Sequence, residues 1–555
     1  MSPPGPRSAT GLRPALAGTH AACGPYHHAM DLARSVFGDR FVAYCINSAE
    51  GQLDSVILSE RQKQAIYNLE LLARQELLGD AHSHNALIRS NALQYIEAAQ
   101  TSLPNALREI CGGEVAREAG GDPLEDALLH VASDVYPATL FPPRATEDPS
   151  PSIFLLVSGA AVFMNRSQKQ IPRLILQDRA LGKLFPEAPP ADDYDGQGFD
   201  VSSMIYWSTG VGSTLQLCNV ASSLLEGVLR RTEYGVTPSE YFDSTRKALK
   251  DIRNLADKKR VATPALVGLS NVILSDESPI PLKGGVIRPF RDGDNHVFMD
   301  STGVKSVLEV NFYIQILKIE PVASGESLAG SDSPWDSLQK ELGRSQTELR
   351  RRIDLERLAI LLTCDEVPRA PIAVATSIVN PVATGHSVSF SIHHSLPDQQ
   401  LPVGIEAAMA GRLMEWSATL AGNPANLDMG MRRILSAVSE RFDPLDSFVD
   451  AVICWENMFG TSQGEVSFRV AASISHLLEP SDSEKRKKLF KEVRDLYGIR
   501  SKLVHGATEP SVADAQRHRE RAVEIGIDAF KELCTRPDLL ALDSSGRGIL
   551  LLIGA

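Results

Sequence analysis

From about residue 428 onward, apolar positions recur at helical spacing in five successive stretches. They run roughly over 430–442, 445–459, 465–479, 484–505 and 511–534. Breakers mark the joints: Asp443-Pro444, Gly460 with Gly464, Pro480, and Gly506 with Pro510. Proline lacks an N–H and glycine tolerates the left-handed backbone, so both end helices. The first stretch sets Met431, Ile434, Leu435, Val438 and Phe442 on one face. Amphipathic helices with short joints predict an all-α antiparallel helical bundle over 428–540.

Two of these stripes carry a charge where an apolar residue belongs. At about 100° per residue, Leu489, Val493, Leu496, Tyr497, Leu503 and Val504 share a face, and Arg500 falls at its centre. On the second stretch Leu445, Phe448, Val449, Val452, Ile453 and Phe459 share a face centred on Glu456. A lone buried charge costs several kcal/mol, so the two are expected to pair or to face a polar cleft. One reading is an ion pair that holds two helices in register. The other puts Arg500 at a cleft wall, oriented by Glu456.

Upstream the texture is mixed. Residues 1–30 read as a disordered arm, 31–185 as mainly helical with some strand, and 186–200 as an acidic linker. Within the first region Arg61–Leu78 is a helical stretch, Asn85–Ile110 is another broken at Pro104, 112–150 reads as loops, and Ser152–Met164 as buried strand. Residues 201–427 read as a mixed α/β region. It holds helices at Tyr241–Lys259 and from Trp335 to about Thr363, with strand-like runs at His296–Met299, Val310–Ile319, Ile372–Ile378 and Ser387–His393. Residues 541–555 form a tail, in which Ile549–Ile553 packs somewhere. The predicted class is a multidomain α+β chain, with the helical bundle after a mixed α/β N-terminal region.

Composition narrows the function. The 555 residues are 43% hydrophobic and 23% charged, as in a globular protein, and carry a net charge of −13. Any contact with nucleic acid must therefore use a local basic patch. Seven scattered cysteines without a Cys-x-x-Cys fit free thiols in a reducing cytosol and no zinc site, so a cytoplasmic location is expected. No apolar run reaches the ~18 residues that span a bilayer, and the proline-bearing N-terminus makes a poor signal peptide.

The local patch exists. Residues 484–502 hold eight basic residues against three acidic, a balance of +5. Lys487, Lys488, Lys491, Arg494 and Lys502 read as a phosphate-backbone track, although such clusters also serve as solvated helix faces. The track leads to Arg500 and His505. Arg holds phosphate and His moves protons near neutral pH, so the pair points to chemistry on a phosphodiester. Their spacing is awkward. Five residues separate them by roughly 140° around a straight helix and about 7.5 Å along it, whereas Ser501 shares the His505 face. Either the helix ends early and His505 swings round, or a second copy related by a two-fold axis completes the site.

Leu496-Tyr-Gly-Ile-Arg-Ser-Lys-Leu-Val-His-Gly506, with Trp455-Glu456-Asn-Met-Phe-Gly460 and Gly464-Glu465-Val-Ser-Phe-Arg469 upstream, resembles the Apea-like group of the HEPN superfamily. The resemblance covers about 428–540. It implies a dimerising helical bundle, often a metal-independent endoribonuclease, with Arg500 and His505 as the catalytic pair and no cofactor. Glu456, Ser501 and Tyr497 would support them, and RNA would be the substrate. Many catalytic members carry Asn, Asp or His after the Arg, where this chain has Ser501. A toxin or phage-defence role is a further implication, with the N-terminal part sensing a trigger or restraining the nuclease. A rival expectation is a non-catalytic protein that holds nucleotide or dimerises. Elsewhere, Asp80-Ala-His82-Ser-His84 has a His-x-His spacing and reads as a surface loop. His476 and His518 read as surface residues of the bundle, His518 within reach of RNA.

Overall fold

A computed structural model of the chain describes residues 25–74, 81–142, 166–194, 201–209, 212–276, 278–291, 294, 298, 303–321, 335–364, 368–378, 381–382, 388–390, 402–461, 465–506 and 510–554. The architecture is α+β, helix-rich, with several small sheets.

The first region is a helical layer: α1 Pro25–Phe37, α2 Asp39–Cys45, α3 Glu60–Ala73, α4 Ala81–Ala92, α5 Leu103–Ile110, α6 Pro123–Val135 and α7 Arg166–Gln177. A short hairpin, β1 Tyr95–Ile96 and β2 Thr101–Ser102, separates α4 from α5. Three expectations change here. The arm expected over 1–30 ends inside α1, whose Ala29 and Met30 are buried. The loops expected over 112–150 contain α6, because Asp122 caps the amides of Leu124 and Glu125 and Pro123 takes the first helical position, which needs no N–H. The His82–His84 segment belongs to the start of α4 rather than to a loop. The strand expected over 152–164 lies outside the described residues.

The acidic stretch after 186 is tied down over its described part. Tyr194 is buried, and Arg173 donates to the carbonyls of Ala191 and Tyr194.

The middle region holds β3 Ser202–Trp207, β4 Gly212–Gln216, α8 Val220–Leu229, α9 Pro238–Ala256, β5 Val261–Leu269, β6 Val272–Leu274, β7 Ile280–Pro281, β8 Gly285–Pro289, β9 Ser306–Ile314 and β10 Ile316–Pro321. Then come α10 Trp335–Thr363, β11 Ala373–Ile378, β12 Val388–Phe390, β13 Val403–Ile405 and α11 Ala407–Leu420. Six strands form an antiparallel sheet in the order β12-β11-β5-β9-β8-β7. Its spine is the β5–β9 pairing, in register from Val261 opposite Ile314 to Leu269 opposite Ser306. A second sheet has the order β10-β3-β4, and β13 runs parallel to β6. The single strand expected over 310–319 is two strands. Gln315 exchanges hydrogen bonds with Ser208 between them, and there the chain passes from the large sheet to the small one. Of the strand expected over 296–299 only Phe298 is among the described residues, and it is buried.

The described residues of the C-terminal region hold helices and no strand: α12 Asp428–Ser439, α13 Pro444–Phe459, α14 Val466–Leu478, α15 Ser483–Val504, α16 Val512–Cys534, α17 Pro537–Leu540 and α18 Ser544–Ile553. The expected tail is therefore largely α18, which packs on α13 and α14. Its Arg547 is fully buried and donates to the carbonyls of Leu539 and Met458 and to the Asn426 side chain. Trp455, Phe448, Phe459 and Phe530 fill the centre.

Most buried apolar side chains of the three regions form one continuous cluster, and Leu266, Phe298, Val304 and Val307 form a small separate one. Buried Arg357 of α10 bonds Asp354, the Pro371 carbonyl, Ser439 and Glu440, and so ties the middle region to α12. Among the described residues no helix is long and apolar enough to cross a membrane.

Candidate functional site

The site lies where α13 and α15 meet. Asp443 accepts the Leu445 amide and Pro444 opens α13, so this helix starts at a fixed point. Its stripe buries Phe448, Val452 and Phe459 and carries Glu456 toward α15. At the far end the Gly460 amide bonds the Glu456 carbonyl at 2.7 Å. A Cβ on Gly460 would lie 2.4 Å from that oxygen, so the close approach requires glycine.

Asp482 caps α15 by accepting the amides of Glu484 and Lys485, and these bonds hold its carboxyl below its ordinary pKa. The helix packs mainly on α14 and touches α13 and α16 more lightly. Only Leu489, Val493 and Leu496 are buried. Beyond them the same face loses its cover. Tyr497, Arg500 and Leu503 are half-buried, and Val504 is exposed.

Arg500 and Glu456 pair across this boundary. Arg500 Nη2 lies 3.4 Å from Glu456 Oε2, with 21% and 25% of the side chains exposed. Tyr497 Oη donates to the other oxygen, Glu456 Oε1, at 2.5 Å. One carboxylate thus receives both a cation and a phenol. Desolvation first, then the hydrogen bond and negative charge of Glu456, push the Tyr497 hydroxyl up to about 12. The phenol therefore stays protonated and donates at neutral pH. The Arg500 guanidinium also stands 6.0 Å from the Tyr497 ring centre. Its Nε is buried and has no hydrogen-bond partner. The part of the guanidinium that an anionic oxygen can reach is the exposed 21% of the side chain, not this enclosed nitrogen.

His505 is placed differently. It caps the end of α15, exposed to solvent, and Gly506 follows in the left-handed region at φ 68°. Its amide still bonds the Ser501 carbonyl at 3.2 Å, so its side chain leaves the helix from the regular position. The helix does not end early enough to swing His505 round to Arg500. Ser501, half-buried, lies between them in angle.

The basic residues expected to form one track spread over about 120° of one side of α15. Taking roughly 100° per residue, Lys487 and Arg494 line up with His505, and Lys491, Lys502 and Lys488 follow at about 40°, 60° and 100°. All five are exposed. Lys487 bonds Glu484 at 2.8 Å. Lys488 and Lys491 instead line a groove of about 360 Å³ that α15 shares with His518 of α16. This groove, and Asp495 within it, escaped the reading of the sequence. The only signal was the spacing 488, 491, 495 and 499 on one side of the helix. His476, expected at the surface, is half-buried, and burial together with Arg486 lowers its pKa.

Among the described residues no group of three His, Cys, Asp or Glu side chains is placed to hold a metal ion. No family profile, curated protein or solved structure matches this chain.

Proposed function

We propose that the C-terminal helices are a HEPN-type antiparallel bundle and that the protein is a metal-independent endoribonuclease acting as a cytoplasmic homodimer. The observation that carries this reading is Arg500, set on an otherwise apolar face against Glu456, whose other oxygen Tyr497 holds, with a fifth of its side chain still open to solvent. A guanidinium held in that way stabilises the negative charge that builds on the non-bridging oxygens as the phosphorus becomes pentacoordinate. His505, exposed at the helix end, accepts the proton of an RNA 2′-hydroxyl as its oxygen attacks the adjacent phosphorus. The bond from phosphorus to the 5′-oxygen breaks, and a second proton transfer leaves a 5′-hydroxyl and a 2′,3′-cyclic phosphate.

Within one chain the two side chains leave α15 on different sides. A second copy brings its His505 near the first copy's Arg500 around a two-fold axis. The uncovered end of the α15 stripe, with Val504 exposed, is the face such a copy would use. A toxin or phage-defence role, gated by the regions before residue 428, is part of this proposal.

The rival reading is a non-catalytic protein that binds nucleotide or dimerises. The close Glu456–Arg500 contact favours it, since the same pair could serve only to hold α13 to α15. RNA cleavage with and without EDTA, in wild type, Arg500→Ala and His505→Ala, separates the two. Loss of cleavage in both variants, with folding intact and DNA untouched, supports the nuclease. Undiminished cleavage by His505→Ala would sink it.

A further inference from the structure

The groove between α15 and α16 has an internal order. Lys488 and Lys491 stand one turn apart at one end. Asp495 follows a turn later and Ile499 a turn after that, while His518 faces them from α16. Neither lysine is held by an ion pair among the described residues, and neither is Asp495. The other acid, Glu492, is occupied: Arg521 grips both of its oxygens, at 2.8 and 2.9 Å. The free charges are thus two cations at one end and one carboxylate further along.

His518 adds direction. Its ring lies 5.9 Å from the Phe448 ring, and its Nδ1 is buried without a hydrogen bond. In the neutral ring the proton is better placed on Nε2, the nitrogen left to meet a ligand. The groove therefore offers two ammonium groups, one anionic acceptor, one ring N–H donor and the apolar sides of Leu496 and Ile499.

These features match one ligand chemistry. Two lysines a turn apart suit a phosphate. A carboxylate beside an apolar wall repels a second phosphate and accepts from the amino group of a base, as acidic side chains accept from cytosine N4. The His518 N–H then meets a ring or carbonyl acceptor on that base. We propose that this groove binds one nucleotide unit, with its phosphate on Lys488 and Lys491 and a base bearing an exocyclic amino group against Asp495 and His518. Uracil lacks that group and is discriminated against.

The nucleotide comes either free or as part of an RNA strand. Only the second source rests on the ribonuclease reading. In that case the groove runs along α15 from about 25 Å (Lys488) to about 9 Å (Ile499) from His505, at about 1.5 Å per residue.

The test is calorimetric titration of the full chain with CMP, UMP and inorganic phosphate. CMP is expected to bind about tenfold more tightly than UMP, a difference that one good polar contact supplies. The pair Lys488→Glu and Lys491→Glu should abolish CMP binding. Asp495→Ala should bring CMP and UMP to the same affinity. All three side chains are exposed, and an unchanged melting temperature checks folding. A 2′-O-methyl oligocytidine that binds more tightly than CMP identifies the strand as the source. Equal affinity identifies the free nucleotide. Equal affinity of wild type for CMP and UMP, or CMP binding untouched by charge reversal, overturns the proposal. His505→Ala should keep CMP binding. Cleavage that persists in that variant, with CMP binding intact, defeats the ribonuclease reading and supports the groove alone.

Discussion

α15 and α16 are nearly the same length, 22 and 23 residues, and lie side by side. Yet α16 buries ten residues and α15 three. α16 is held by packing: Phe530, Ile525 and Leu533 are wholly enclosed. α15 is held at its first half by Leu489, Val493 and Leu496 and beyond that by the Glu456 contacts. The lesson is a division of labour. One helix supplies stability, and the other trades burial for polar groups facing solvent, where a ligand or a second copy can reach them.

The sharpest way to test this contrast is to empty a core position on α16. Phe530→Ala should destabilise the protein by about 3–5 kcal/mol, read by urea denaturation. Leu496→Ala on α15, at the edge of cover, should cost less, about 2 kcal/mol. Hydrogen exchange should then quicken over 483–504 and leave α16 unchanged. Equal quickening in both helices would break the comparison.

Glu456→Gln removes the charge that holds Arg500. The stability loss should be about 1 kcal/mol or less, as for partly exposed pairs. Any RNA cleavage should fall further than stability, since Arg500 loses its orientation.

Tyr497→Phe should have the smallest effect on stability near neutral pH. Its signature is spectroscopic. The folded phenol ionises near 12 rather than near the ordinary 10, so its protonated form contributes stability below about pH 10 that is lost as pH rises through 12. The absorbance change near pH 12 should therefore lose the amplitude of one tyrosine in the variant, leaving that of Tyr136, which burial also pushes up to about 12. An amplitude near pH 12 that is the same in wild type and variant would show that Glu456 does not hold the phenol.

Much of this was legible in the chain. The five helices appear within a few residues of their expected ends, because Pro444, Gly460, Pro480 and Gly506 punctuate them. The Glu456–Arg500 contact followed from two charges on two apolar stripes. The helix α6 was hidden because its glycine, proline and acid neighbours resemble a loop, although Asp122-Pro123 is a helix start. The break at Gln315 was hidden because both flanking strands are apolar, and only the partner strand Ser202–Trp207 reveals the change of sheet. The groove was hidden because half of its wall is on α16, and a single helix cannot announce what faces it.

Arg547 bears on how the helical region can be excised. A fragment stopping at residue 540 would strip the Leu539 and Met458 carbonyls and the Asn426 amide of their shared donor, and would uncover the flank of α14. Such a fragment should aggregate on expression, and one carried through Ile553 should not. Residues 544–553 are thus the clasp of the helical region, and the practical cutting point lies beyond them.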